Sequence, residues 1–217
     1  MKYQTFIFDL DGTLLDTLAD LATAVNYALA KNGYPLRTED EVKEFIGNGV
    51  VKLMERAIGA PKENTPDFEQ TFSDFKRYYG ENCRVHTKLY SGIEEVLTAL
   101  KDKGKKCAIV SNKADFAVKI LNDFYFQGLI EVAVGENEAA GIKKKPSPDL
   151  VWLALKMLGV GTDNAVYIGD SEVDIQTANN AGLPCISVSW GMKTREFLQS
   201  HGAQIVLNEP LELLEYV

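Results

Sequence analysis

Cysteine and histidine are scarce in this chain, which has three cysteines and two histidines among 217 residues. Three cysteines are too few for a disulfide framework, and the number is odd, so a small disulfide-stabilised domain is excluded. Cys107 and Cys185 lie in apolar runs typical of strands, and we predict that both are buried and unreactive. His86 and His201 fall in no motif, and we expect surface or structural roles for them.

Long apolar segments and positive charge are also lacking. No apolar run reaches the length of about 18 residues that a membrane span needs, and the apolar run near the N-terminus is too short for a signal peptide. We therefore expect a soluble, cytoplasmic protein with no membrane partner. Lysine and arginine number 23 against 31 aspartates and glutamates, a formal net charge of −8. A field of that sign repels nucleic acid, and an anionic metabolite would need local positive charge in its site.

What the sequence does contain is an alternation of strand and helix patterns. From Leu89 onward, short β-rich runs alternate with amphipathic helical segments, which predicts a parallel sheet with helices on both faces. Between 16 and 84 only helical patterns are evident, including a capping box formed by Thr38 and Glu41. The prediction is an α/β fold: a doubly wound, Rossmann-like parallel sheet over 1–15 and 85–217, with an all-helical domain inserted at 16–84.

Polar side chains directly follow three of the predicted strands. They are Asp9 and Asp11 after the first strand, Ser111 and Asn112 after 107–110, and Asp170 and Asp174 after 165–168, with a lysine run at 143–145 between the last two. Each set has an ordinary explanation as a polar turn, a helix cap or a solvated loop. Their coincidence at successive strand ends favours a shared site, because ligands of open α/β sheets bind at the carboxyl ends of the strands.

Carboxylates gathered at one edge of a sheet repel one another. At an effective dielectric constant of about 20, two like charges about 4 Å apart repel by about 4 kcal/mol. A hard divalent cation removes this conflict, and Mg²⁺ suits a site of few carboxylates and several waters. A metal beside a lysine and a hydroxyl group also suits a phosphoryl group. Asp9 lies nearest the strand end and is the better candidate to attack phosphorus, and Asp11 could then move the protons.

Four motifs in this order resemble those of the haloacid dehalogenase-like superfamily of phosphohydrolases. Asp9-Leu10-Asp11-Gly12-Thr13 resembles the first motif, Ser111-Asn112 the second, Lys145-Pro146 the third, and Gly169-Asp170-Ser171-Glu172-Val173-Asp174 the fourth. The resemblance covers essentially the whole chain, and the helical insertion is similar to the small helical cap of that superfamily. Each motif alone is weak, but the four in this order and spacing are highly specific.

The resemblance implies a role for each matching residue. Asp9 would be the nucleophile and Asp11 the acid and base. Ser111 and Lys145 would hold the phosphate, and Asn112 belongs to the same predicted phosphate-binding group. Mg²⁺ would be bound by Asp9, the Asp11 carbonyl and Asp170, with Asp174 supporting it through water. The chain would then hydrolyse small phosphate monoesters through an aspartyl-phosphate.

The inserted helical domain carries a more specific resemblance. Phe45-Ile46-Gly47-Asn48-Gly49, followed by Met54-Glu55-Arg56-Ala57, looks most like the phosphoglycolate phosphatase branch, which makes 2-phosphoglycolate the candidate substrate. Gly47, Asn48 and Gly49 are the predicted substrate-specificity residues of the cap, because glycines allow close backbone approach and Asn48 offers a donor and an acceptor. The turn could equally be a simple helix break.

Other activities remain as alternatives. A sugar-phosphate mutase would keep all four motifs, and only its substrates and its bisphosphate activator would separate it from a hydrolase. A dehalogenase has no acid two residues after its nucleophile, so Asp11 argues against that chemistry. A phospho-accepting binding module has no reason to carry a large cap. The expected partner is a small phosphorylated metabolite, and the sequence leaves open whether the chain is a monomer or a homodimer.

Overall fold

The computed structural model describes residues 2–137 and 141–217, and the chain divides into two compact units. One unit contains Met1–Asp16 and Leu89–Val217, and the other contains Thr17–Lys88. The helical insertion that we placed at 16–84 therefore has its later boundary at Lys88. Asp16, predicted at the start of a helix, is instead the last residue of a short strand.

The larger unit is built on a parallel sheet, as predicted. The described strands are β1 (Thr5–Phe8), β2 (Leu15–Asp16), β3 (Lys88–Leu89), β4 (Lys106–Ala114), β5 (Val132–Glu136), β6 (Ala165–Gly169), β7 (Cys185–Val188) and β8 (Ile205–Leu207). The main sheet has the order β5-β4-β1-β6-β7-β8 with parallel neighbours throughout, and β2 and β3 form a separate two-stranded sheet. The strand order reverses between β1 and β6, where open α/β sheets bind their ligands.

Helices connect the strands of this unit. They are α5 (Ile93–Asp102), α6 (Asp115–Tyr125), α7 (Asp149–Leu158), α8 (Glu172–Ala181) and α9 (Arg195–Ser200), followed by a 3-10 helix at Pro210–Tyr216. All four residues of β1 are buried, and Ile7 belongs to a core cluster with Leu150, Ala154 and Tyr167. A strand covered on both faces needs such a continuous apolar run, which is why β1 shows no alternation. The predicted doubly wound α/β fold is confirmed.

The smaller unit is helical. It contains α1 (Leu18–Lys31), α2 (Glu39–Phe45), α3 (Val50–Ile58), a 3-10 turn at Lys62–Asn64, and α4 (Phe68–Asn82). The predicted capping box of α2 is confirmed: Thr38 Oγ1 accepts from Glu41 N at 3.2 Å, and Glu41 Oε2 accepts from Thr38 N at 2.8 Å. Within this unit the buried Asp20 accepts hydrogen bonds from the backbone of His86 and Thr87, at 2.9 Å in each case.

Strand β4 runs further than its sequence suggested. We predicted a strand ending at Val110 and a polar loop at Ser111-Asn112-Lys113, whereas β4 continues to Ala114 with an irregular register between Val110 and Ala114. Gly135 on β5 permits this close pairing, since a Cβ there would lie 2.6 Å from the Lys113 carbonyl oxygen. The polar residues after Val110 therefore lie on a distorted strand end, which fixes their directions more firmly than a loop would.

The cysteines differ in their burial. Cys107 is buried as predicted, but Cys185 is only partly buried because it begins β7. Burial, with the charge of Glu131, raises the pKa of the Cys107 thiol to about 12, and burial followed by the charge of Asp174 does the same for Cys185. Both thiols are therefore protonated and poorly nucleophilic at neutral pH. Among the residues that the structure describes, no helix is long and apolar enough to span a membrane.

Candidate active site

The site is assembled by three neighbouring strands. Strands β4, β1 and β6 are adjacent and parallel, so their carboxyl ends open onto one edge of the sheet. Asp9 follows β1 directly and continues its ladder, because its N–H donates to the Ile168 carbonyl of β6 at 2.8 Å. Asp170 likewise comes directly after the last residue of β6. The backbone thus brings together side chains that are far apart in the sequence.

Lys145 supplies the positive charge at the centre of the site. Its buried ammonium lies 2.8 Å from Asp9 Oδ1 and 2.7 Å from Asp174 Oδ1, and it donates to the Tyr167 hydroxyl at 3.1 Å. Burial lowers the pKa of Lys145, but the charges of Asp174 and Asp9 outweigh that effect and hold it well above the usual value. The group is therefore a fixed cation, as a phosphate-binding lysine must be. Lys145, which directly precedes Pro146, therefore belongs to this cluster.

The Asn112 side chain forms two hydrogen bonds with the backbone of Lys145. Its side-chain N–H donates to the Lys145 carbonyl at 3.0 Å, and its side-chain oxygen accepts from the Lys145 N–H at 2.7 Å. These paired hydrogen bonds fix the backbone that carries the ammonium. The structure therefore shows Asn112 positioning the backbone of Lys145, and its membership of the phosphate-binding group stays a prediction.

Three buried carboxylates form a cluster that could hold a metal ion. Asp9, Asp170 and Asp174 each offer one oxygen, and these oxygens lie within 4.8 Å of one another. Burial raises the pKa of Asp9 to about 7; the nearby Lys145 opposes this, and Asp174 adds to it. Burial, and then the charges of Asp174 and Asp9, hold the pKa of Asp170 well above its usual range.

These shifts describe a surplus of negative charge in a buried space. A hard divalent cation with oxygen ligands would relieve it, so the donor set fits the metal that the sequence predicts. Asp170, which follows β6, and Asp174, which lies in α8, have different hydrogen-bond partners. Asp174 Oδ1 accepts from Lys145, and its Oδ2 accepts from the Ser171 hydroxyl at 2.6 Å, whereas Asp170 receives no lysine at this distance among the described residues.

Asp170 is held by backbone and glycine packing. Its Oδ2 accepts from the Met192 N–H at 2.6 Å, and its Oδ1 accepts from the Thr13 hydroxyl at 3.3 Å. A Cβ on Gly12 would lie 2.3 Å from Asp170 Oδ2, and one on Gly191 would lie 2.5 Å from it. Only glycine fits at either position, so the chain closes tightly around this carboxylate. Sequence analysis missed Gly191 and Met192, which lie in a loop that no motif marks.

Asp11 has a partner that sequence analysis also missed. Its Oδ1 lies 2.7 Å from the ammonium of Lys113, and the backbone N–H of Lys113 donates to Ser111 Oγ at 3.3 Å. The one sequence signal for Lys113 was its place directly after Ser111-Asn112. Ser111 is buried at the same strand end, so the structure places both residues on the strand next to Asp9.

The predicted cap residues lie in the helical unit, between α2 and α3. Gly47 and Gly49 both have positive φ, 110° and 86°, a conformation that favours glycine. Arg56 of α3 holds the turn: it donates to Asn48 Oδ1 at 2.7 Å and to the Phe45 carbonyl at 2.9 Å. Arg56 was present in the motif that we quoted, but its structural task follows only from the fold.

A parallel sheet with buried aspartates and a buried lysine at its carboxyl edge defines an enzyme of the Rossmann-like class that acts on an anionic group. A family model for haloacid dehalogenase-like hydrolases matches residues 6–188. The chain therefore belongs to the haloacid dehalogenase-like hydrolase family.

Individual relatives are similar over nearly the whole chain. A phosphoglycolate phosphatase of Aquifex aeolicus is 34% identical over 214 residues, which cover 98% of this chain and 95% of the relative. A crystal structure from Lactobacillus delbrueckii subsp. bulgaricus, assigned by prediction to phosphoglycolate phosphatase, has a TM-score of 0.91 at 39% identity and covers 99% of this chain and 98% of its own.

A second similar structure contains phosphate. CbbY from Rhodobacter sphaeroides, in complex with phosphate, has a TM-score of 0.77 at 26% identity, covering 97% of this chain and 96% of its own. Together these comparisons confirm the predicted superfamily and the predicted enzyme class, a phosphoric monoester hydrolase.

The raised pKa of Asp9 predicts how stability depends on pH in metal-free protein. The folded state keeps a proton on Asp9 up to a pH of about 7, whereas the unfolded chain releases it near its ordinary pKa of 3.8. The stability that Asp9 contributes is therefore present below pH 3.8 and lost as the pH rises to about 7. Asparagine cannot ionise. In EDTA, the wild type should therefore lose stability relative to Asp9→Asn as the pH rises from 3.8 to about 7. The free energy of unfolding of Asp9→Asn, minus that of the wild type, should increase by up to about 1.4 kcal/mol per pH unit over this range.

Urea unfolding at several pH values measures this difference. Asp163→Asn, at an exposed position, is the matched control and should show no comparable trend. A difference for Asp9→Asn that stays constant from pH 4 to 8 would contradict the assignment of a buried, destabilised carboxylate to Asp9.

Proposed function

We propose that this chain is a Mg²⁺-dependent phosphatase that hydrolyses small phosphate monoesters through a phosphoaspartate on Asp9, with 2-phosphoglycolate as its leading substrate. The observation that carries the proposal is the position of Asp9, which is buried directly after β1, pairs with the Lys145 ammonium and lies close to Asp170 and Asp174. The names of the similar proteins support the choice of substrate.

The reaction has two halves. In the first, a carboxylate oxygen of Asp9 bonds to phosphorus, the bond to the leaving oxygen breaks, and Asp11 gives that oxygen a proton. In the second, water attacks the phosphoaspartate, Asp11 takes a proton from the water, and inorganic phosphate leaves as Asp9 is restored. The position of Asp11 two residues after Asp9, beyond the same strand, supports its service in both halves.

Charge decides whether the first half can occur. A dianionic phosphate about 4 Å from a carboxylate is repelled by about 8 kcal/mol at a dielectric constant of about 20. Lys145 and Ser111 would hold phosphate oxygens against this repulsion. The Lys145 ammonium lies 2.8 Å from Asp9, and Ser111 is buried near the end of β4, the strand next to β1. Asp9, Asp170 and the Asp11 carbonyl would hold Mg²⁺, with Asp174 supporting it through water. When bound, the ion supplies the remaining charge neutralisation.

The compartment and partner belong to the same proposal. All three cysteines are free thiols, which supports a reducing, cytoplasmic setting. The net charge of −8 supports a small anionic metabolite, held by local positive charge, rather than nucleic acid.

Removal of the metal is the first test of the proposal. Chelation of metal-stripped protein should abolish the release of phosphate from 2-phosphoglycolate and p-nitrophenyl phosphate, and Mg²⁺ should restore it without a bisphosphate activator. Mg²⁺ should also raise the thermal unfolding temperature, since it relieves the repulsion among the buried carboxylates. Asp170→Asn should lose this thermal shift, and Asp163→Asn should keep it. Full activity of stripped protein in excess EDTA would refute the metal requirement.

Substitutions of Asp9 and Asp11, the two aspartates that follow β1, should impair different steps of the reaction. Asp9→Asn removes the nucleophile, so acid-quenched labelling with a phosphoryl donor should give no phosphoenzyme. Asp11→Asn keeps the nucleophile but loses the proton carrier; it should form phosphoenzyme slowly from an activated ester and hydrolyse it more slowly still. Label on the Asp9→Asn protein that maps to another residue would show that the nucleophile has been misassigned.

The turn at Gly47, Asn48 and Gly49 is the proposed determinant of substrate choice. Its two glycines adopt conformations that other residues avoid, and Arg56 fixes the Asn48 side chain at 2.7 Å. Such a rigid turn can present a defined set of backbone and amide groups to a small substrate. We therefore propose that esters of two to six carbons are preferred over phosphoproteins and nucleic acid.

Substitution of Asn48 separates this role from a purely structural one. Asn48→Ala should reduce kcat/KM for 2-phosphoglycolate far more than for p-nitrophenyl phosphate, which would depend chiefly on the core. Arg56→Gln loosens the same turn but keeps the Asn48 amide. Its kcat/KM should therefore fall less than that of Asn48→Ala, and again more for 2-phosphoglycolate than for p-nitrophenyl phosphate. Equal losses on both substrates would mean that the turn has only a structural role.

A further inference from the structure

Lys113, which is buried, and Asp11, which is partly buried, form an ion pair close to Asp9 in the chain. The Lys113 ammonium lies 2.7 Å from Asp11 Oδ1, and only 2% of the lysine side chain and 13% of the aspartate side chain are exposed. Lys113 lies near the end of β4 and Asp11 just beyond β1, and these strands are parallel neighbours. A lysine is rarely buried unless its charge is compensated, and the Asp11 carboxylate contributes to that compensation.

The distorted end of β4 makes this contact available. In a regular strand, successive side chains point to opposite faces. Here the register shifts between Val110 and Ala114, and consecutive side chains serve the same site. Asn112 fixes the backbone at Lys145, while Lys113 reaches Asp11. The Lys113 N–H also donates to Ser111 Oγ, so this one residue is tied to two members of the site.

We infer that Lys113 is a positioning residue that orients the Asp11 carboxyl for proton transfer. The inference rests on the proposed function, because it assumes that Asp11 moves the protons. Lys113 binds Oδ1, and in this proposal the other oxygen, Oδ2, serves the reacting group. The proton on Oδ2 passes to the leaving oxygen as the phosphorus–oxygen bond breaks. In the second half Oδ2 takes a proton from the attacking water, so the balance is restored each turnover.

Lys113 could instead bind the substrate phosphate itself, as Lys145 is proposed to do, and kinetics distinguish the two roles. A positioning residue acts through the Asp11 proton, so its loss lowers kcat and leaves KM nearly unchanged. A phosphate ligand would raise KM for every ester. The leaving group separates the roles further, since p-nitrophenolate departs without a proton and an alkoxide does not.

The test compares Lys113→Met with two other variants. Lys113→Arg keeps the positive charge, and Lys119→Met removes a surface lysine that is 62% exposed and pairs with Asp115. For the alkyl phosphate that the wild type hydrolyses fastest, in a panel including 2-phosphoglycolate, Lys113→Met should lower kcat by about 100-fold. The first-turnover release of p-nitrophenolate should change little. Lys113→Arg should recover part of kcat, and Lys119→Met should match the wild type.

A double-variant cycle tests whether Lys113 acts through Asp11. In the Asp11→Asn background, Lys113→Met should cause almost no further loss, because the group that it positions is already gone. Additive losses, a raised KM for both esters, or an equal fall in p-nitrophenolate release would overturn the inference. If Lys113→Met does not fold, as judged by thermal unfolding, Lys113→Gln replaces it.

A crystal structure of Lys113→Met gives a result that does not depend on activity. The Asp11 side chain should leave its present rotamer or occupy more than one. A single, unchanged Asp11 conformer would refute the positioning role even if the variant is slow. Failure of the wild type to hydrolyse any ester in the panel would refute the proposed function, while the Asp11 conformer would still decide the role of Lys113.

Discussion

The buried ammonium of Lys145 is the interaction on which the rest of the site depends. It lies between Asp9 and Asp174, two buried carboxylates that would otherwise repel each other. Removing one member of such a cluster would leave uncompensated charge, which is why buried ion pairs are costly to break. The Asn112 side chain fixes the backbone that carries this ammonium, so the position of one cation depends on the end of a different strand.

The sheet order turns this local requirement into a constraint on the whole fold. Each of β4, β1 and β6 positions side chains of the site, and the three must be neighbours for their carboxyl ends to meet. β1 lies between the other two and is buried throughout, so Asp9 projects from the end of an interior strand of the sheet. Groups that react must be held closely in place, and a strand end covered on both faces does this better than a mobile loop.

Much of this arrangement could be predicted from the sequence, because its signals are local. The alternation of strands and helices gave the fold, and the residues after each strand gave Asp9, Asp11 and Asp170. The contacts of Asn112 and Lys113 could not be predicted, since they depend on an irregular register in β4 that no short pattern encodes.

The loop around Gly191 also escaped sequence analysis. Gly191 is important because the Asp170 carboxylate occupies the space that a Cβ at this position would need. Only the folded structure shows this contact.

The unequal binding of Asp170 and Asp174 explains how two acids close together in sequence can differ in role. Both oxygens of Asp174 accept hydrogen bonds from protein groups: Oδ1 from Lys145 and Oδ2 from Ser171. Because both oxygens of Asp174 already accept hydrogen bonds from protein groups, this carboxylate suits indirect support of a metal. Asp170 is fixed mainly through the Met192 N–H, a neutral donor that orients the carboxylate without compensating its charge. A cation at this edge of the sheet would neutralise an ionised Asp170, so we propose that Asp170 rather than Asp174 would coordinate it directly.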